Sequence, residues 1–278
     1  MQYGYHRHQS KTFTLFDGIS DFYSDTFRQD ENRHFVDWQN SLNLGPAHLL
    51  TAGLSFRRES SATENFHRRS VGIYVQDQFE LGPRTFLTAG IRWDDNNSFS
   101  NFTTGNADFS FWASDSFKLR ASIGNGFRAP DFSEILGFPL WGITGNPNLK
   151  PEKNTAFDAG VDFFSPSGKT RISGTFFYSR FSDLIEFTFL AAPGSPNYQN
   201  IEKARSRGIE LEMSRMINRL ILAGGNYTYT STRVLDSGDI PGGGFETGTK
   251  LLRRPAHMAL IFTRFSHRRF DLRFDFKY

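Results

Sequence analysis

The sequence has no cysteine, which excludes a disulfide framework and a thiolate metal site. It also lacks any run of about 18 apolar residues, so no segment is long enough for a transmembrane helix. The N-terminal segment MQYGYHRHQS has no apolar core of the kind found in a signal peptide. The seven histidines are scattered, and a net charge of +3 is too small and too dispersed to indicate nucleic-acid binding.

What the sequence has instead is a high aromatic content. Aromatic residues make up 16% of the chain, with 31 Phe, although the mean hydropathy is -0.47. In the stretch FDLRFDFKY, apolar and aromatic residues from Phe270 to Tyr278 alternate with charged ones, a period of two that places them on opposite faces of a strand. The same alternation recurs in FKLRASI, TAFDAGVDF and RGIELEM, and no helical period is sustained. The pattern predicts an all-β, antiparallel fold.

Two architectures produce this alternation. One is a soluble sandwich with a wet face, and the other is a transmembrane barrel whose apolar residues face lipid. We count about 13 strands, many of about 10–14 residues, whereas soluble strands cluster near about 5–6 and a tilted membrane strand needs about 9–11. Strand length therefore favours an antiparallel transmembrane β-barrel segment.

The connections between these strands alternate strictly between short and long. Short periplasmic turns and long extracellular loops are the signature of outer-membrane barrels, whereas a sandwich has no reason to keep its long loops at one end. We expect 241–248, the stretch PGGGFETG, to be a flexible exterior loop. The predicted short connections are 45–46, 82–84, 114–116, 165–169, 218–219 and 267–269, and the long ones are roughly 15–32, 58–68, 94–103, 129–153, 190–200 and 235–250.

Four stretches occur in a characteristic order and spacing, namely NGFRAPDFSEILG, GNPNLKPEKNTAFDAGVDF, FFYSRFSDLIEF and YQNIEKARSRGIELE. In this order they resemble the C-terminal part of the barrel of TonB-dependent outer-membrane receptors, and KLLRRPAHMALIFTRF at 250–265 is similar to the next strand of that family. The resemblance implies a barrel of about 22 strands with a plugged lumen in the outer membrane of a Gram-negative bacterium. We therefore expect residues 1–278 to be a partial barrel domain, incomplete at both ends, with the plug domain absent.

The resemblance also implies a function and partners. The ligand would be scarce, such as a ferric siderophore or a cobalamin, with energy supplied by the TonB complex through the absent plug. Lipid of the outer membrane would surround the barrel, and neither a cofactor nor a resident metal is implied. A barrel hydrolase is disfavoured because His34, His48, His67 and His257 have no adjacent Ser or Asp motif. A passive outer-membrane pore or an adhesion barrel without a plug remains the alternative.

Candidate site residues fall into two groups. The long loop after Arg128 carries four prolines and should lie outside, where long loops usually serve binding or gating. We expect it to contact ligand through Arg128, Phe132, Phe138, Trp141 and Asn146, although its aromatic residues could equally pack against neighbouring loops or lipid headgroups. The second group would face the lumen and contact the plug, or else merely form a solvated wall; its members are Arg120, Asp158, Asp162, Glu210 and Glu212.

A last expectation concerns the two ends of the sheet. About 13 strands cannot close with the curvature of the larger cylinder, since diameter and strand number are linked. The strand near residues 2–14 and the strand that begins at Phe270 should therefore present unpaired backbone edges.

Overall fold

The computed structural model describes residues 2–13, 26–61, 66–138, 142–189, 191, 194–238 and 245–278. Strands dominate the described residues, as the alternating pattern predicts. The strands are β1 Gln2–Phe13, β2 Thr26–Asn43, β3 His48–Ser61, β4 Phe66–Glu80, β5 Thr85–Asn96, β6 Phe102–Trp112, β7 Phe117–Arg128, β8 Gly137–Phe138, β9 Ile143–Thr144, β10 Glu152–Phe164, β11 Thr170–Phe187, β12 Tyr198–Met216, β13 Ile221–Asp236, β14 His257–His267 and β15 Phe270–Lys277.

Thirteen of these strands form one sheet in the order β1-β2-β3-β4-β5-β6-β7-β10-β11-β12-β13-β14-β15. Each strand of this sheet pairs with the strands that precede and follow it in the sheet, which confirms the predicted all-β fold and its 13 strands. In this order β1 lies next to β2 alone and β15 next to β14 alone, as expected for two edge strands. The chain contacts divide into two compact units, residues 1–44, 49–77 and 90–103, and residues 45–48, 78–89 and 104–278.

Strand register separates the side chains of the second unit into two faces, since residues paired across antiparallel strands point the same way. Phe157 pairs with Ile123 and Tyr178, whereas its neighbour Asp158 pairs with Ser122 on the other face. The alternation predicted for TAFDAGVDF is therefore confirmed at Phe157 and Asp158. One row of the apolar face is Phe109, Ala121, Ala159, Phe176, Ile209 and Tyr229, and the adjacent row of the polar face is Ser110, Arg120, Gly160, Thr175, Glu210 and Thr228.

Two of the predicted long loops are partly strand. Residues 58–68 were expected to be a loop, but β3 runs to Ser61 and β4 begins at Phe66. Likewise β5 reaches Asn96 and β6 begins at Phe102, inside the predicted 94–103 loop. The predicted bounds were wrong because backbone hydrogen bonds continue the ladder after the apolar alternation has ended.

Ion pairs stabilise one of these polar strand ends. Glu59 is buried, and its carboxylate accepts hydrogen bonds of 2.8 Å from Nε of both Arg33 on β2 and Arg68 on β4. A hydrogen-bonded carboxylate between two guanidinium groups therefore joins β2, β3 and β4. Side-chain polarity alone therefore does not mark the end of a strand in this sheet.

The long connection between β7 and β10 has structure of its own. It contains a short helix, α1 (Phe132–Leu136), and a two-stranded ribbon of β8 and β9. A capping box begins the helix: Asp131 N-H donates to the Glu134 side chain at 2.7 Å. No helix among the described residues is long and apolar enough to cross a membrane.

A small apolar cluster covers the end of the sheet near the long loops. Ile201, Ala204 and Val234 have no exposed surface, and Phe245 and Leu251 pack against them from the connection before β14. Backbone bonds hold this segment in place, since Val234 N-H donates to Thr249 O and Gly248 N-H donates to Val234 O. The expectation of a flexible loop at 241–248 is therefore wrong for its described part, 245–248, because Phe245 is an apolar anchor.

Candidate functional site

Arg128, the last residue of β7, is the centre of the site. Its Nε donates to Glu152 at 2.7 Å, and its two terminal nitrogens donate to the two oxygens of Glu134 at 3.0 Å each. Its Nη1 also lies 3.5 Å from Asp131. The bidentate ion pair between Arg128 and Glu134 fixes the relative orientation of the two side chains and also pairs opposite charges. Arg128 thus connects the end of β7 to helix α1 and to the start of β10.

Asparagine side chains join the same loop to the connection between β11 and β12. Asn197 is buried; its Oδ1 accepts from Thr144 N-H at 2.7 Å and its Nδ2 donates to Thr188 O at 2.8 Å. Asn200 accepts from Lys150 N-H at 2.9 Å and donates to Lys150 O at 3.0 Å. Each amide thus pairs with backbone N-H and C=O groups of these loops. The described parts of these two connections, 129–151 and 188–197, therefore form one joined surface, which we call the joined loops.

The predicted ligand residues lie in this surface, but their polar groups are used internally. Asn146 donates from Nδ2 to Tyr198 O at 3.0 Å and accepts from Asn148 N-H, while Arg128 is occupied by three carboxylates. Phe132 and Phe138 are half-buried, and Trp141 lies outside the described residues. A ligand role for these five residues stays a prediction, and for Arg128 and Asn146 the contacts show a structural role as well.

Sequence reasoning missed the partners that organise the loop, namely Glu134, Glu152, Asn197 and Asn200. One of them was readable, because Asp131 and Glu134 have the spacing of a capping box. Glu152 and the two asparagines carry no local signal, since they act on residues that are distant in the chain.

On the polar face, Arg120 and Asp162 belong to one network. Arg120 Nε donates to Asp162 at 3.3 Å, and Arg120 Nη2 donates to Ser173 at 3.0 Å and to Thr175. Asp162 is buried, with Arg171 Nη2 3.6 Å from its second oxygen. The network ties β7, β10 and β11 together and holds Arg120 against the sheet.

Asp158 belongs to a neighbouring group of polar side chains. Ser122 donates to Asp158 at 3.0 Å, and Asn106 donates to Asp108 at 2.8 Å. Asp108, Ser122 and Asp158 border a cavity of about 290 Å³, which is also lined by Thr88, Phe109, Ser110, Arg120 and Ala121. In the described part of the chain, no three acidic or histidine side chains are grouped as metal ligands would be.

The structure does not bring Glu210 and Glu212 into these networks. They share the polar face with Arg120, since Glu210 pairs with Thr175 and Glu212 with Ser173, but both side chains are exposed. Their place on this face is what a lumen-facing role requires. Contact of all five polar-face residues with a plug stays a prediction.

Glycines let large side chains lie flat on this polar face. Phe177 covers Gly208, its register partner on β12, and Arg120 covers Gly160 on β10. The same arrangement occurs within the first unit, where Tyr74 covers Gly53 and Arg92 covers Gly72. An aromatic ring over a cross-strand glycine replaces the packing that the glycine lacks. Phe177 and Arg120 therefore lie close against the sheet.

Comparison with known proteins gives consistent results. The family described as TonB dependent receptor-like, beta-barrel matches residues 1–278. The vitamin B12 transporter BtuB of Vibrio vulnificus (strain YJ016) is 30% identical over 192 residues, which are 65% of this chain and 30% of BtuB.

Solved structures show the same fold at low identity. A mutant of the ferric enterobactin receptor PfeA from Pseudomonas aeruginosa is 17% identical, with a TM-score of 0.73 over 98% of this chain and 45% of PfeA. The siderophore receptor PirA from Pseudomonas aeruginosa is 20% identical, with a TM-score of 0.66 over 86% of this chain and 43% of PirA. The chain spans less than half the length of each of these relatives.

Proposed function

This chain belongs to the TonB-dependent receptor family, and we propose that it forms part of the barrel wall and exterior mouth of an outer-membrane uptake receptor. The family comprises transport receptors of the outer membrane of Gram-negative bacteria, and its members are not enzymes. We place this chain in the same membrane. Its cargo would be a scarce ligand such as a ferric siderophore or a cobalamin.

The observation that carries this proposal is the family match over the whole of residues 1–278. Two structural features support it. The polar face keeps Arg120, Asp158 and Asp162 on the side opposite the apolar rows, as a water-filled lumen with a plug would require. The joined loops form an ordered surface at one end of the same strands. A surface that is already ordered loses less conformational entropy when it binds ligand.

Uptake would draw energy from the TonB complex through a plug domain outside these 278 residues. Relatives named as vitamin B12 and ferric enterobactin receptors indicate two ligand classes, and the proposal includes both. The choice between them depends on the loops and on the plug.

The test is ligand uptake by the full-length receptor. Cells lacking the receptor gene should regain uptake of labelled cobalamin or of one labelled ferric siderophore when the gene is restored, and only when TonB is present. Uptake that persists without TonB would instead indicate a passive pore. Expression without uptake of any member of a broad siderophore and cobalamin panel would contradict the proposal.

We further predict that ligand contact centres on the 129–150 part of the joined loops. In the full-length receptor, replacing Phe138 and Trp141 by alanine should weaken ligand binding at least roughly tenfold, because buried aromatic anchors often dominate an interface. Affinity is measured on detergent-purified receptor, with barrel assembly checked by heat resistance. A matched control is Phe117→Ala, an exposed aromatic residue at the opposite end of β7 from Arg128. Unchanged affinity in the double variant would move the site to other loops or to the plug.

A further inference from the structure

Three arginines lie side by side on the apolar face of the sheet. Arg180 on β11 pairs in register with Arg205 on β12, and Arg205 pairs with Arg233 on β13. Arg207 lies in the next row on the same face, opposite Tyr178. We call Arg180, Arg205 and Arg233 the arginine row. Like charges directly opposite one another on adjacent strands are destabilising.

Nothing in the described part of the chain neutralises this row. None of the three guanidinium groups forms an ion pair with a described carboxylate, and the nearby Asp236 is paired with Lys203 at 3.2 Å. Arg205 Nε is buried and has no hydrogen-bond partner among the described residues. A buried charged donor without a partner is costly. The row therefore has the electrostatic character of a site whose anion comes from outside the chain.

The position of the row indicates where that anion would come from. Towards the short-turn end of the strands, the same face carries exposed apolar side chains, including Ile209 and Leu211, which are 48% and 51% exposed. On β11 these apolar positions begin at Ile172, eight residues before Arg180. At a rise of about 3.3 Å per residue, that distance is about 26 Å along the strand; at a tilt of about 40° it spans about 20 Å across the membrane, most of the apolar band of about 25 Å in an outer-membrane barrel. The arginine row thus lies where lipid headgroups would meet the exterior end of the strands.

We propose that the arginine row binds the phosphate groups of a phosphorylated glycolipid in the outer leaflet. Guanidinium groups bind phosphate through paired hydrogen bonds, and a phosphate carries enough negative charge to bridge two of them. The acyl chains of the same lipid would cover the apolar rows beneath. This inference rests on the proposed location in the outer membrane and concerns the lipid-facing surface, separate from the ligand and its transport.

The experiment uses the full-length receptor purified in detergent and returned to nanodiscs. The variant is Arg180→Gln/Arg205→Gln/Arg233→Gln. The probe is a glycolipid that carries two phosphate groups, and the same glycolipid without its phosphates serves for comparison. We expect the triple variant to bind the phosphorylated lipid roughly a hundredfold more weakly, because each basic residue near a charged lipid contributes a several-fold factor. The same three positions changed to lysine should retain most of the binding, since the charge remains.

The matched control changes three arginines at the short-turn end, Arg215→Gln/Arg219→Gln/Arg269→Gln. Arg215 is on the same strand and the same face as Arg205, at the opposite end, so its loss should leave glycolipid binding unchanged. An equal loss in the control, equal affinity for the dephosphorylated lipid, or displacement of the lipid by millimolar inorganic phosphate would each overturn the proposal. If the triple variant does not assemble, Arg205→Gln alone is compared with Arg215→Gln alone.

Ligand uptake separates this inference from the proposed function. A triple variant that loses glycolipid but takes up ligand normally supports the lipid site and leaves the transport proposal intact. A receptor that transports no ligand yet binds phosphorylated glycolipid through the row would sink the transport proposal alone.

Discussion

The substitution Gly208→Ala is expected to reduce the yield of folded receptor in the outer membrane more than any other single methyl group added to the polar face. A β-carbon at this position would lie against the carbonyl oxygen of Tyr229 and 2.5 Å from Cζ of Phe177. The carbonyl belongs to the backbone of β13 and cannot rotate away as a side chain would. Overpacking of this kind costs about 1–3 kcal/mol and often more when backbone must move, so we expect about 3 kcal/mol.

Gly126→Ala is the matched control for this prediction. Gly126 also lies within a strand, on β7, and a β-carbon there meets no atom within 4 Å. Folded receptor is measured as the heat-resistant band in outer-membrane fractions, together with its unfolding midpoint in denaturant. Equal yields and midpoints for the two alanine variants would show that the sheet accommodates the methyl group at Gly208 by moving β13.

Replacing Arg128 by alanine is expected to release the joined loops while leaving the barrel strands paired. The change leaves the side chains of Glu134 and Glu152, which are only 14% and 16% exposed, without their shared cation. Removing one partner of a buried ion pair costs about 3–5 kcal/mol, but Arg128 is 40% exposed, so solvent screening reduces our expectation to about 2 kcal/mol. Ligand affinity should fall by about the same free energy if the loops bind ligand in their ordered form.

Limited proteolysis of the full-length receptor measures this effect directly. Cleavage within 129–151 should become faster in the Arg128→Ala variant, and Arg128→Lys should restore little, because an ammonium group cannot reproduce the fork to Glu134. Arg171→Ala is the control, since Arg171 is an exposed arginine at the other end of the sheet. Cleavage of the alanine variant at the wild-type rate would mean that the asparagine contacts alone hold the loop.

Local sequence pattern predicted the strands well for a simple reason. In FDLRFDFKY and TAFDAGVDF each residue reports its own side of the sheet, because the side-chain period of a strand is two. The same pattern located the short turns, where β-sheet ends are set by Gly, Pro and polar residues such as Gly45 and Gly82, both at positive φ. The family resemblance in NGFRAPDFSEILG and the stretches that follow it then indicated what kind of sheet this is.

Strand ends and loop contents were predicted less well. The stretch 58–68 looked like a loop because most of its residues are polar, yet Glu59 pairs with Arg33 and Arg68, and the described residues 58–61 and 66–68 lie in strands. Phe245 looked like part of a glycine-rich flexible loop, yet it is buried against Val234 and Ile201. In both cases a partner from another strand decides the outcome, and a local pattern contains no information about that partner.

The sequence by itself determined the fold class, the number of strands, the side of the sheet on which each alternating residue lies and the family. Only the tertiary structure decided the register of the strands, and the register determines which distant residues meet. It brings Arg128 to Glu152, joins Asn200 to Lys150 across 50 residues of chain, and aligns Arg180, Arg205 and Arg233 in one row. The physical reason is that periodicity is a property of one strand, whereas a cluster of charges depends on which residues of two or three strands stand opposite one another, and a shift of register would separate them.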